Sequence, residues 1–245
     1  MTPLLRLLRP DRRRCVRAGV LLACLVAAGC ANKRAVPDWQ LEAKGASDRF
    51  VSAYLSGQRN APAEFERARL ELARTGRPVL VARLELLHCA AQLASVDLQD
   101  CPGFEALRDD APAAERAYAH FLAGKLVAGD QASLTPAQQA WIAALTSGAS
   151  GASAADALSR IGDSFSRLVA AGALLRAGLA SPAVLQIAVD TASQEGWRRP
   201  LLAWLGVQLR LAEQSGDVGA AAHLRRRLAL VQPEAPQPKP SATSP

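Results

Sequence analysis

Side chains able to do chemistry are sparse in this chain, and their spacing limits what they can do. There are three histidines, His88, His120 and His223, and five cysteines, Cys15, Cys24, Cys30, Cys89 and Cys101. Glu85 and His88 make an E-x-x-H step, which sets both side chains on one helix face as in di-iron bundles. Such a centre needs a second E-x-x-H and two further glutamates. No second copy occurs, so the pair reads as a Glu–His couple on a helix surface, and no metal is assigned. The chain also lacks a phosphate-binding glycine loop, H-E-x-x-H and G-x-S-x-G, the local signatures of nucleotide, zinc-peptidase and hydrolase chemistry. No catalytic residue and no cofactor are therefore expected, and the chain reads as a binding protein rather than an enzyme.

The N-terminus holds a different kind of chemistry. Arg6, Arg9, Arg12, Arg13, Arg14 and Arg17 lead into an apolar run from Ala18 to Ala28, followed by Gly29 and Cys30. A charged start, a short apolar middle and a small-residue end make the layout of a signal peptide. The run is about 11 residues, against the roughly 20 that span a bilayer. Ala27-Ala28-Gly29-Cys30 resembles the lipobox of bacterial lipoproteins, with Ala27 where Leu is frequent and Leu25 further back. That resemblance implies cleavage before Cys30, lipid on its sulfur and amine, and a tether to a bilayer. Ala31 stands where Asp would retain such a protein in the inner membrane, so the resemblance implies the outer membrane, facing the periplasm. The expected organisation is a signal peptide over 1–29 and a lipidated spacer over 30–37.

Export bears on the remaining thiols. Cys15 and Cys24 fall in the removed segment, leaving Cys89 and Cys101 in an oxidising compartment, where a disulfide is the expected state. Two free buried thiols and a redox pair are the alternatives, the latter without the usual C-x-x-C spacing. A bridge across 12 positions would contribute about 3 kcal/mol by the loop-entropy relation.

The formal charge of +7 overstates the basicity of the exported part. Six of the 29 basic and one of the 22 acidic residues precede Cys30, which leaves +2. A near-neutral body with scattered cations has no electrostatic footprint for nucleic acid. Half of the residues are apolar but only 4% aromatic, and Ala and Leu dominate. That composition favours closely packed helices over sheet.

Glycine and proline punctuation predicts helices starting near Asp38, Pro62, Pro78, Pro112, Pro136, Pro182, Trp197 and Asp217. The helix over Val79–Val96 is apolar nearly all round, apart from Glu85, His88, Gln92 and Ser95, and should be central. The helix from Pro112 is expected to run to Ala128, and the one after Pro136 to contain Trp141. Ser147 to Ser153 reads as a mobile Gly/Ser/Ala linker between helical halves at 38–146 and 154–232. Leu158, Ile161, Phe165, Leu168, Gly172, Leu175 and Leu179 fall on one stripe, which Gly162-Asp163 could divide. Pro233–Pro245 reads as a disordered tail. The expected fold is all-α: stacked helical hairpins, either an α-solenoid or an irregular helical bundle.

Residues 199–233 carry the most specific pattern: a helix, Ser215-Gly216-Asp217, a second helix with Ala221 and Leu228, then Pro233. This is similar to one tetratricopeptide repeat, in which glycine reverses the chain, a small residue lets the paired helices approach, and proline ends the second helix. Trp197, Arg198 and Arg199, with Trp204, form the candidate partner-facing patch, since Trp and Arg are enriched at binding hot spots; packing at a helix start is the alternative use. The combined expectation is an envelope lipoprotein that binds a protein or peptide partner. An envelope enzyme acting on peptidoglycan or glycan and a small-ligand-binding lipoprotein are the other readings.

Overall fold

Proline and glycine set the helix boundaries where the sequence places them. A computed structural model of the protein describes residues 36–125, 129–135, 139 and 151–232. Among these are eleven α-helices and no strand: α1 (Asp38–Leu55), α2 (Ala61–Ala73), α3 (Pro78–Ala94), α4 (Pro102–Glu105), α5 (Ala113–Leu122), α6 (Asp130–Ser133), α7 (Gly151–Ser159), α8 (Ser164–Arg176), α9 (Pro182–Gln194), α10 (Arg198–Gln214) and α11 (Val218–Val231). Proline lies in the first turn of α2, α3, α4 and α9, where its missing N–H costs nothing. Asp163, Ser181 and Asp217 cap α8, α9 and α11 by accepting a backbone N–H three residues on, which satisfies donors that a helix start leaves free.

The fold is all-α, and the later helices pack as successive hairpins: α8 on α9, α9 on α10, α10 on α11. Helix α3 is central, as its apolar circumference predicts, and packs against α2, α4, α5 and α8. One core joins Leu86, Ala90, Leu93 and Ala94 of α3 to Leu168 and Leu174 of α8, Val184 of α9 and Trp204 of α10. A smaller cluster joins Ala46, Phe50 and Ala53 of α1 to Phe65 and Ala68 of α2 and to Leu84 and Ala91 of α3.

Three expectations are corrected. Residues 151–153 are the first turn of α7, not linker, because the Ala-rich stretch that follows sustains a helix; 147–150 lie outside the described residues, as do Trp141 and 233–245. Helix α5 stops at Leu122 rather than Ala128, because Gly124 takes φ +67° and ends it against the last turn of α8, where a Cβ would lie 3.2 Å from the Ala177 nitrogen. The seven-residue stripe from Leu158 to Leu179 is not one face: the helix breaks between Ser159 and Ser164, and Leu179 is exposed. The buried part of α8 is instead continuous from Leu168 to Leu174, as befits a helix enclosed on several sides.

The approach of α8 to α3 depends on Gly172. A Cβ there would collide with the Leu93 carbonyl oxygen and lie 2.8 Å from Leu93 Cγ. Gly206, within α10, meets nothing within 4 Å. Gly172→Ala should therefore destabilise the protein by about 1–3 kcal/mol through overpacking. Gly206→Ala should stabilise it by up to about 1 kcal/mol through helix propensity. Urea unfolding of both variants checks the contrast; equal effects would contradict it.

Candidate peptide-binding groove

The residues singled out in the sequence do not form one site. Cys30 lies outside the described residues. Cys89, within α3, and Cys101, just before α4, are joined by a disulfide with Cα atoms 5.8 Å apart. The bridge pins the 95–101 loop back onto α3. Arg176 at the end of α8 holds the same loop, donating to the Gln99 carbonyl at 3.0 Å and to Asp100 Oδ1 at 2.9 Å. The bridge lines a cavity of about 320 Å³ between α3 and α5.

The tryptophan–arginine patch is turned inward. Trp204 is fully buried, and its Nε1 donates to the Ala94 carbonyl at 3.0 Å; it is a core residue and no partner can reach it. Trp197 is half-buried at the start of α10 and packs on the core. Arg198 donates to the Gly57 carbonyl at 3.2 Å, and Arg199 donates to the Tyr54 carbonyl at 2.7 Å with its guanidinium 4.2 Å from the Tyr54 ring centroid. The two arginines clamp α10 to the C-terminal end of α1, where the Tyr54 carbonyl also accepts from Gly57 N–H at 3.0 Å. The alternative use, packing at a helix start, is the one the structure shows.

Glu85 and His88 are not a solvent-facing couple either. Glu85 is buried, accepts from Arg69 Nε at 3.2 Å, and lies against Gly103, where any side chain would collide with its carboxylate. His88 sits among Phe50, Tyr54 and Phe65, with ring centroids 5.4, 6.2 and 4.6 Å away. The amphipathic logic that assigns polar residues to a surface stripe fails here because α3 is covered on that side too. Among the described residues, no group of three or more His, Cys, Asp and Glu is placed to hold a metal, and no helix is long and apolar enough to cross a membrane.

The open surface lies instead on the other side of α3. Leu80, Arg83, Leu84 and Leu87, spaced as one helical stripe, line a mainly apolar cavity of about 270 Å³ with Trp39 and Ala43 of α1 and Leu72 of α2. Across Arg83 and Leu87, which belong to both, a second cavity of about 320 Å³ runs between α3, α5 and α6, lined by Leu86, Glu115, Tyr118, Ser133 and Thr135. The two adjoin along this stripe of α3 and together form the candidate groove.

Compared with known proteins, the chain matches no family model, no curated protein and no solved structure.

The groove's acid is Glu115, 8% exposed; Gln40, Lys44, Ser47, Arg83, Ser133 and Thr135 also line it. Glu115 Oε1 accepts from Arg83 Nε at 2.5 Å, while its Oε2 is buried with no hydrogen-bond partner among the described residues. An unsatisfied buried oxygen costs about 1–3 kcal/mol. Sequence reasoning passed over Glu115, Arg83 and Leu80. The available signal was an acid on an apolar face, since Tyr118, Ala119 and Leu122 stand three, four and seven positions after Glu115.

Burial holds the His88 imidazole below its usual range, opposed in part by the carboxylates of Glu85 and Asp97. The folded chain thus keeps His88 neutral where the unfolded chain, titrating near 6.5, already binds a proton. Stability is then full above about pH 6.5 and declines as pH falls below it, until the folded imidazole protonates as well. His88→Phe keeps an aromatic ring and removes the proton. Chemical unfolding of both proteins between pH 7.5 and 5 should show a steeper loss in the wild type; identical pH dependence would refute the assignment.

Proposed function

We propose that the protein is a lipid-anchored helical scaffold of a bacterial envelope, tethered through Cys30 to the outer membrane on its periplasmic side, and that it holds a peptide segment of another envelope protein in the groove over α3. The observation that carries the binding role is that groove: two neighbouring cavities sharing Arg83 and Leu87, with an apolar floor and a single buried carboxylate. Apolar pockets at alternate positions with few polar groups suit an extended chain or one face of a helix. The oxidised Cys89–Cys101 pair supports export, because disulfides persist outside the reducing cytosol. The α10–α11 hairpin supports the tetratricopeptide-like reading: Gly216 turns the chain at φ +73°, and the small Ala221 is buried where the helices meet. Stacked hairpins of this kind present grooves to protein partners.

Two experiments test the two halves of this reading. Intact mass and membrane fractionation in a Gram-negative host should find an acylated chain starting at Cys30 in the outer membrane, and Cys30→Ala should abolish both properties. A random decapeptide display library selected on the purified full chain should yield apolar peptides. Leu80→Asp, which charges a half-exposed groove position, should weaken their binding at least about tenfold without changing the thermal unfolding midpoint by more than a few degrees. Peptides that bind Leu80→Asp as well as wild type would place binding elsewhere.

A further inference from the structure

The carboxylate in the wall of the groove says which peptides it takes. We infer that the groove's second cavity, between α3, α5 and α6, receives a basic side chain, arginine or lysine, of the bound peptide, whose charged end pairs with Glu115 and whose aliphatic stem lies on Leu86, Leu87 and Tyr118. The inference rests on the groove being a peptide site and adds the chemistry that site selects.

Three observations carry it. Glu115 lines the cavity and is nine-tenths buried, yet only one of its two oxygens has a donor. A carboxylate has acceptor capacity for a forked guanidinium across both oxygens, and Arg83, bonding through Nε to Oε1 alone, leaves half of that capacity unused. Arg83 is itself 59% exposed along its side chain, so it can swing aside or share the carboxylate as a ligand enters. The rest of the lining is Leu, Ala and Tyr with two hydroxyl residues, a surface that accommodates the methylenes of a long cationic side chain while its head is neutralised. The incoming cation takes the face of the carboxylate that Arg83 occupies in the free protein. Among the described residues no other acid lines either part of the groove; its cations, Arg83 and Lys44, are paired with Glu115 and Asp48, so the basic residue has one place to go, and the apolar residues beside it fall on Leu80, Leu84 and Leu87.

The display library, selected in parallel on wild type and Glu115→Gln, tests this. The wild-type pool should be enriched several-fold in Arg and Lys beside apolar residues. The Glu115→Gln pool should keep the apolar residues and lose the basic ones. For one selected peptide, replacing its basic residue by Gln should weaken wild-type binding about tenfold or more and leave binding to Glu115→Gln unchanged. Arg83→Gln removes the internal competitor and should bind the basic peptide at least as tightly as wild type. This arm and the wild-type peptide pair stand even if Glu115→Gln fails to fold. Apolar pools without basic enrichment would overturn the inference and leave the groove standing; pools with no apolar enrichment would overturn both. A Glu115 that serves only to hold Arg83 would change the unfolding midpoint when mutated but not the preference for a basic residue.

Discussion

The C-terminal turn of α3 is the constraint on which the remaining packing depends. A helix end leaves carbonyls without partners, and here they are closed partly by the turn that follows, with Val96 N–H donating to the Leu93 carbonyl at 3.0 Å, and partly by a distant part of the chain. The Leu93 carbonyl faces Gly172 of α8, at a distance that only glycine permits. The Ala94 carbonyl is taken by the buried indole of Trp204, 110 residues further on. The chain then turns through Val96 at φ +59°, with Asp97 N–H donating back to the Gln92 carbonyl. A β-branched residue in that region is strained by the order of 1–3 kcal/mol, and it persists because Val96 is itself packed on the core. The disulfide at Cys89 and Cys101 and the Arg176 contacts to the loop hold the same junction from outside. Packing, hydrogen bonding and covalent linkage thus converge on one turn.

Fixing α3 in this way determines where the open surface lies. One side of α3, through Ala82, Leu86, Ala90 and Leu93, is committed to the core shared with α8 and α10. Its opposite stripe, Leu80, Arg83, Leu84 and Leu87, faces the space flanked by α1 and α2 on one side and α5 and α6 on the other. Arg198 and Arg199 tie the end of α1 to α10 rather than to α3, and the gap over α3 stays open. In the proposed role, a rigid floor with flanking helices would hold a peptide at little cost of ordering the site, and the buried carboxylate would give that floor its chemical preference.

Much of the fold was legible because helix punctuation is local. Pro62, Pro78 and Pro182 start helices and Ser181 and Asp217 cap them for reasons that act within one turn. The nearly all-apolar circumference of α3 told of its central place. The patch at 197–204 was misread because local composition does not say what lies opposite: Trp204 is buried by α3, and Arg199 is claimed by Tyr54. The pair Glu85–His88 was misread likewise, since a polar stripe on a helix predicts solvent only where no other helix covers it. The groove was not legible at all. Its lining comes from α1, α2, α3, α5 and α6, and only the tertiary arrangement joins them.

Native-state hydrogen exchange resolved by residue tests the central place of α3 most directly. If its C-terminal turn is closed from three sides, the amides of 86–94 and of 168–174 should exchange only through global unfolding, while those of α1 and α11 open at lower free energy. Exchange of the α3 amides at a free energy well below that of the α10–α11 hairpin would contradict the account, because the turn would then open while the helices said to hold it stay folded.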